Sequence, residues 1–417
     1  MRLKERLSNV YYGYWVLLGA FFLHALDSGL YFYGFSVFFT PLILEFGWSN
    51  AVTAGAVSLS RLEGGIEGPV VGYLIDRYGA RKILAIGTFM TGLGFMAMTW
   101  VDSVWMLYLI YGGVLSIGYN TGFSHSLATI LNQWFIRKRS RAMSIYAIAA
   151  GLGGALIVPI LARSIAVQGW RMTAVYCGLV FWIVGLPMVL LFRNKPEDLG
   201  LLPDGDQRPT YSEPLSGDPR PVHAEPDFTT REAMRSPTFR WLLLGESFRS
   251  FLLGSIVLYE IPHLLKLGFS EEAAASILGF MILSSIPGRV VFGTLGDFVS
   301  KRLLLIVAML MQGIGVLIFA YAADIIHIYA FLFFYGLAYG GAIPLLMAYR
   351  GELFGRKRFA TISGLMSPFR TIGSVAGPIF AGYVYDVTGS YRFAFIVFTL
   401  LAALSAASFY MIKSEQI

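Results

Sequence analysis

The sequence predicts an all-α membrane protein, with twelve transmembrane helices arranged as two pseudo-symmetric six-helix bundles. Three observations lead there. Of 417 residues, 56% are hydrophobic and only 14% charged, and the mean hydropathy is +0.65; a soluble domain, wetted all round, carries about 25% charged residues. Apolar runs recur along the chain at the length a helix needs to cross a bilayer, about 20 residues. Matching residues also recur between the two halves at nearly one offset.

The apolar segments fall at about 14–40, 52–75, 83–101, 104–133, 142–167, 172–192, 239–265, 273–296, 303–323, 326–354, 359–385 and 393–412. Several exceed the minimum for a span, which permits tilt. The alternation of a β-barrel strand is absent. The N-terminal MRLKERLSNVYYGYW leads into an apolar run too long for a cleavable signal. The single cysteine, Cys177, lies inside an apolar segment; it excludes an internal disulfide framework and reads as small apolar packing.

Between segments six and seven, the loop from Arg193 to about Thr238 holds eight of the seventeen prolines, with interleaved charges. It reads as a solvated connector. Its end, Thr229-Thr-Arg-Glu232, reads as a capping box opening a short surface helix. The expected domains are therefore an N-terminal bundle at 1–192, a cytoplasmic central loop at 193–238 and a C-terminal bundle at 239–417.

Orientation follows from the cations. With both termini inside, the tails and inner loops hold 23 of the 32 Lys and Arg residues, against four outside: Arg163, Arg171, Lys266 and Arg392. That bias predicts both termini in the cytoplasm of a multi-pass protein of the cell (inner or plasma) membrane. It also accounts for the net charge of +7 without a nucleic-acid partner.

The internal repeat is specific. Gly72-x3-Asp76 recurs as Gly293-x3-Asp297, and Pro41 with Gly47-Trp48-Ser49 recurs as Pro262 with Gly268-Phe269-Ser270, both at an offset of 221. Phe135-x-Arg-Lys-Arg139 recurs as Phe354-x-Arg-Lys-Arg358, and Pro159 as Pro378, at 219. Such recurrence indicates two parallel six-helix repeats.

Two arginines sit deep in apolar segments. Arg289 lies in Ile277-Leu-Gly-Phe-Met-Ile-Leu-Ser-Ser-Ile-Pro-Gly-Arg289, and Arg370 in segment eleven. A lipid-facing charge near the bilayer centre costs at least about 2.5–3.5 kcal/mol. Each is therefore expected to face a bundle interior or a watery cavity. Helix rise puts Arg289 about 12 Å from Asp297 and Arg370 about 18 Å from Arg358, near the midplane. Their planar forks match a carboxylate, so the pair reads as an anion site; structural salt bridges are the alternative.

At this point the residues resemble a family. Gly72-Tyr-Leu-Ile-Asp76-Arg77-Tyr-Gly79-Ala-Arg81-Lys82 resembles the signature loop of the major facilitator superfamily, with a degenerate copy at Gly293 and Asp297. Trp134-Phe-Ile-Arg-Lys-Arg139 running into Ala150-Gly-Leu-Gly-Gly154, Ile261-Pro-His-Leu264 and Gly288-Arg289-x3-Gly293 resemble the monocarboxylate transporter and oxalate/formate antiporter group. The resemblance implies the major facilitator fold and a secondary active transporter of small organic carboxylates, proton-coupled or anion-exchanging. It implies that Arg289 binds the substrate carboxylate, and Arg370, eight residues before Pro378, matches a second cation of the oxalate/formate branch. The chain departs from the animal branch at Ser285, where an acid stands, and in segment one, which offers His24 and Asp27 in place of a lysine. Both departures put simple lactate–proton symport in doubt.

The resemblance also implies that segments two and eleven face each other. Glu63 and Glu67, stacked at i,i+4, are then candidates to latch onto Arg370, and a static network with Arg61 is the alternative. Gly64, Gly68 and Gly72 form a neighbouring stripe suited to close helix approach, as do Gly373 and Gly377. Asp27 with His24 is the candidate coupling pair, with a structural hydrogen bond as the alternative. Glu246 and Arg249 read as a local pair. Tyr119, Asn120, Tyr335 and Tyr339 are candidate pocket residues, though singly each fits packing as well. The signature loop (Gly72, Asp76, Arg77, Gly79, Arg81) implies Asp–Arg pairing and helix-end dipoles that govern conformation. His125, His263 and His327 have no metal-site spacing. No metal, no cofactor and no enzyme activity are expected; the partners are an organic anion, a proton or counter-anion and the bilayer, and the functional state is a monomer. Two alternatives remain open: a facilitator for another or neutral solute whose arginines are interdomain bridges, or a substrate sensor without turnover.

Overall fold

The computed structural model describes residues 10–206 and 228–412, so most of the proline-rich stretch, 207–227, lies outside the described residues. Among the described residues every regular element is helical. The first sequence half holds α1 (Tyr12–Asp27), α2 (Phe35–Phe46), α3 (Asn50–Tyr78), α4 (Ala80–Ala97), α5 (Val104–Leu109), α6 (Ser116–Tyr119), α7 (Ser126–Trp134), α8 (Arg139–Val180) and α9 (Leu186–Val189). The second holds α10 (Thr230–Arg235), α11 (Pro237–Lys266), α12 (Glu271–Leu295), α13 (Lys301–Ala320), α14 (Ile325–Phe331), α15 (Leu337–Phe354), α16 (Phe359–Thr388) and α17 (Arg392–Met411).

Eight helical stretches among the described residues are long and apolar enough to cross a membrane. They are Tyr12–Phe46, Ala80–Trp100, Arg139–Val189, Pro237–Lys266, Glu272–Leu295, Lys301–Ala320, Ile325–Phe354 and Arg392–Met411. The expected segments five and six lie in one of these, 51 residues long. They are separated by Gly169, whose φ of 82° and ψ of 162° break the helical path inside α8. Segments two, four and eleven are helical without meeting the same criterion. α3 carries Arg61, Glu63 and Glu67, while segment four is cut by two π turns, Ile110–Leu115 and Asn120–Ser124.

The repeat is visible in the capping chemistry. Ser49 caps α3 by accepting from the Val52 N–H at 3.2 Å, and Ser270 caps α12 from the Ala273 N–H at 3.2 Å. Gly47 (φ 66°) and Gly268 (φ 90°) make the left-handed turn just before each cap. Phe135 and Phe354 are each 1% exposed at the end of the preceding helix.

The capping box is also present. Thr229 Oγ1 accepts from the Glu232 N–H at 3.3 Å, and the Thr229 N–H donates to Glu232 Oε2 at 2.8 Å. These bonds hold the Glu232 carboxyl below its ordinary range. The box is therefore complete above the ordinary glutamate value and opens as pH falls through the depressed one. Thr229→Ala is expected to weaken α10 by about 1 kcal/mol, read as faster amide hydrogen exchange at Glu232 and Ala233.

The chain forms two compact units that do not follow the sequence halves strictly. The first comprises Met1–Ala142, Ala149–Phe228 and Arg350–Gly364; the second comprises Met143–Ile148, Thr229–Tyr349 and Leu365–Ile417. Inside the first unit, the Gly64–Gly68–Gly72 stripe does what its spacing predicts. A Cβ on Gly72 would lie 2.3 Å from the Ala360 carbonyl, and one on Gly364 would lie 2.1 Å from the Gly68 carbonyl, so α3 and the start of α16 meet backbone to backbone. The connector after α9 is fastened here too. Asp204 accepts from the N–H groups of Ile136 (3.0 Å), Arg137 (2.8 Å) and Lys138 (3.2 Å), three successive donors leading into α8.

Inside the second unit, the core gathers Leu252, Ile256, Met281, Phe319, Tyr335 and Phe395 from α11, α12, α13, the turn after α14, and α17. α12 and α15 cross at Gly288 and Gly340: a Cβ on either would lie 2.0 Å from the Leu337 carbonyl or 1.9 Å from that of Ser285. α11 and α16 cross at Gly373 and Gly377, whose Cβ atoms would lie 2.8 Å and 2.2 Å from the carbonyls of Ser247 and Phe251.

Candidate functional site

The α12–α15 crossing sets the position of Arg289. Pro287 removes one intrahelical donor, Gly288 brings the two backbones together, and the next residue projects its guanidinium into the unit. Arg289 is 6% exposed. Its Nη1 donates to the Ala147 carbonyl at 2.6 Å, while its Nε is buried without a hydrogen-bond partner among the described residues. No carboxylate among the described residues lies within ion-pair distance of it. A desolvated cation held this way attracts an anion far more strongly than a surface arginine does.

Arg370 differs. The α11–α16 crossing brings it to Glu246, with Nε and Oε2 3.7 Å apart, and its Nη2 donates to Ser367 Oγ at 2.8 Å. Glu246 is thus a counter-charge for Arg370 as well as an i,i+3 neighbour of Arg249, whose Nη2 reaches the Tyr339 carbonyl at 3.4 Å. The sequence suggested no such tie, because α11 and α16 meet only through the tertiary crossing at Gly373 and Gly377. The Glu246 side chain is 1% exposed and that of Arg370 31%. Arg370→Gln removes a counter-charge from a buried carboxylate, whereas Glu246→Gln leaves a cation that water reaches. Arg370→Gln is therefore expected to lower stability more than Glu246→Gln does, in thermal unfolding of the two purified variants.

The candidate aromatics divide between the units. In the first, Tyr119 packs on Tyr31 at 4.2 Å between ring centroids. The Asn120 amide nitrogen donates to Ser116 Oγ (3.1 Å) and the Ser60 carbonyl (3.4 Å), and the Tyr31 and Ser60 hydroxyls complete the network. Asn120 is therefore committed to bracing α3 against α6. In the second unit, Tyr339 is half-buried, but Tyr335 is 0% exposed, stacked between Phe331 and Tyr339. In the conformation described, Tyr335 is a core residue of the aromatic cluster, and of the two tyrosines Tyr339 is the one that reaches the surface.

His24 and Asp27 do pair. Nδ1 lies 3.0 Å from Asp27 Oδ1, which also accepts from Ser28 Oγ at 2.9 Å, and Asp27 is 0% exposed. Glu63 Oε2 and Glu67 Oε1 are buried without hydrogen-bond partners among the described residues, and Arg61 is exposed.

In the signature loop, Asp76 Oδ2 accepts from the Thr361 N–H at 2.9 Å and the Thr361 hydroxyl at 2.5 Å, in the first turn of α16. A carboxylate there satisfies free N–H donors and meets the positive end of the helix dipole. The hydrogen bonds that hold Asp76 are thus of the helix-end kind. Arg77 donates to the Tyr73 hydroxyl (2.7 Å), and the Arg81 backbone N–H donates to Asn194 Oδ1 (2.9 Å). Gly79, at φ 93°, makes the turn between α3 and α4 with Asn194 against it. In the second copy, Gly293 and Asp297 lie at the end of α12 and just beyond it.

The family model described as Major Facilitator Superfamily matches residues 17–367 and 250–416. The chain belongs to the Major Facilitator Superfamily. Among curated facilitators it is 27% identical over 392 residues to monocarboxylate transporter 13 of Bos taurus, covering 93% of this chain and 86% of that one. It is 23% identical over 414 residues to the uncharacterized MFS-type transporter YcxA of Bacillus subtilis (strain 168), covering 94% and 93%. Among solved facilitator structures, a bacterial homologue of the iron transporter ferroportin superposes with a TM-score of 0.73 at 15% identity, covering 97% of this chain and 100% of that one. The human organic anion transporter MFSD10 does so at 0.70 and 16%, covering 95% and 99%. At these identities the structural likeness shows the fold alone. The protein is a facilitator-family transporter and not an enzyme.

Proposed function

We propose that this facilitator carries a small organic carboxylate through the cell membrane by alternating access, with Arg289 as the residue that binds the substrate's carboxylate. The observation that carries the reading is the state of Arg289: a buried guanidinium with, among the described residues, no hydrogen-bond partner for its Nε and no carboxylate of its own. Retaining an uncompensated charge in an apolar helix is costly, and a visiting anion supplies the missing counter-charge. The monocarboxylate transporters among the relatives support the same substrate class.

The ion pair between Arg370 and Glu246 favours a single-headed anion, because the second cation already has a partner. Tyr339, half-buried on α15, is suited to an apolar tail. Twelve spans, both termini cytoplasmic, bundles at 1–192 and 239–417 joined by the loop at 193–238, and a monomeric unit complete the proposal. Charge is restored by a proton or a counter-anion, with Asp27, His24, Glu63 and Glu67 as candidates for coupling. The glycines and carboxylates of the two signature loops serve the conformational change. The test is counterflow in proteoliposomes with a panel of mono- and dicarboxylates and neutral solutes. Exchange of monocarboxylates is expected, and exchange of neutral solutes alone would refute the reading.

A further inference from the structure

One buried acid stands outside every role assigned above. Glu260 lies in α11, two residues before Pro262, and is 0% exposed. Neither of its carboxyl oxygens has a hydrogen-bond partner among the described residues, and none of them forms an ion pair with it. Ile256 and Leu264, one turn to either side on the same helix face, both belong to the apolar core of the second unit. The Tyr335 hydroxyl, also buried and without a hydrogen-bond partner among the described residues, stands within electrostatic reach of Glu260 and of Arg249.

A naked carboxylate in that setting would cost more than marginal stability can bear, a cost that the neutral acid avoids. Asp27, by contrast, has its carboxyl bonded to His24 and Ser28. We infer that Glu260 is a proton-binding site of this transporter beyond the coupling candidates named above, neutral in the conformation described and releasing its proton when the surrounding helices rearrange. The inference rests on the carboxylate-transport reading, since a proton bound at Glu260 balances the anion at Arg289.

The other titratable groups around it are occupied or distant. On α11, His263 Nε2 lies 3.0 Å from the Phe319 carbonyl and the Tyr259 hydroxyl donates to the Pro378 carbonyl at 3.0 Å. From α16, Asp386 acts on Tyr259; Tyr391, just before α17, feels Tyr259, and Arg392 acts on His263; from α15, Tyr339 acts on Tyr335. On α12 the titratable groups among the described side chains are Glu272, exposed at the start of the helix, and Arg289. When the O–H bond of Glu260 breaks, the proton passes to water, and the carboxylate left behind is within electrostatic reach of the Tyr335 hydroxyl.

The experiment uses the full-length protein in liposomes. Infrared difference spectra across a pH step are expected to contain a deuterium-sensitive C=O band of a protonated carboxyl, absent in Glu260→Gln and present in Glu260→Asp. The ratio of uptake under an inward proton gradient to counterflow at equal pH is expected to fall, in Glu260→Gln, to the value of unenergised liposomes. An unchanged band, or a gradient response kept in Glu260→Gln, would overturn the inference even if carboxylate counterflow is robust. Should Glu260→Gln not fold, the band and gradient response of Glu260→Asp decide, because loss of both in a folded shorter acid refutes a proton site. Wild-type liposomes that exchange no carboxylate would refute the transport reading, while the infrared band still judges Glu260 by itself.

Discussion

Arg289→Gln is expected to abolish saturable carboxylate counterflow, and Arg289→Lys to raise the half-saturating concentration about ten- to a hundredfold. The estimate follows from losing one charge-assisted hydrogen bond of about 1.5–3 kcal/mol, at 1.4 kcal/mol per decade of affinity. A lysine keeps the charge and loses the fork, so a graded series Arg > Lys > Gln reads out bidentate recognition. Stability should move the opposite way. Since no carboxylate among the described residues compensates Arg289, its neutral replacement removes a buried charge, and the thermal midpoint should hold or rise. A structural salt bridge would behave differently: its loss lowers stability and transport together. Measuring unfolding and counterflow on the same preparations separates the two.

The second large effect is expected at the α3–α16 crossing. Gly364→Val places a side chain where even a Cβ lies 2.1 Å from the Gly68 carbonyl, and backbone cannot swing aside as a long side chain can. Overpacking of this kind costs about 1–3 kcal/mol or more, enough to lower folded yield and thermal midpoint sharply. It also displaces Thr361 from Asp76, so any protein that folds should transport slowly. Gly279→Ala in α12 is the control: a Cβ there meets nothing within 4 Å, and its midpoint should be unchanged or slightly higher.

Much of this architecture was legible in the sequence. Ser49 and Ser270, the glycine stripes and the capping box at Thr229 are local patterns, and local patterns survive into the structure because neighbours along the helix enforce them. Arg289 was legible because a charge inside an apolar run has few places to go. Glu260 was not, since it lies close to Lys266 and His263, where hydropathy cannot tell a membrane-surface acid from a buried one. The tie between Glu246 and Arg370 depends on which faces of α11 and α16 meet, and periodicity within one helix leaves that open. The π turns, such as Ser28–Phe32 after α1, also escape, because shifting a hydrogen bond by one residue barely changes the apolar pattern. The sequence pattern suggested Tyr335 as a ligand for the same reason: depth was readable, facing was not.

The membership of Arg350–Gly364 in the first unit bears on how the chain is made. Residues near the N-terminus leave the ribosome long before Thr361 exists, so Asp76 and the Gly68–Gly72 face must wait in the membrane with their partner still unsynthesised. During that interval the half-built protein exposes a groove of bare backbone and an unpaired carboxylate, the kind of surface that membrane chaperones and quality-control proteases inspect. Assembly then closes late, with the start of α16 as its final piece. A chain interrupted before Arg350 should accordingly be degraded faster than one interrupted after Gly364, although both carry the complete N-terminal half.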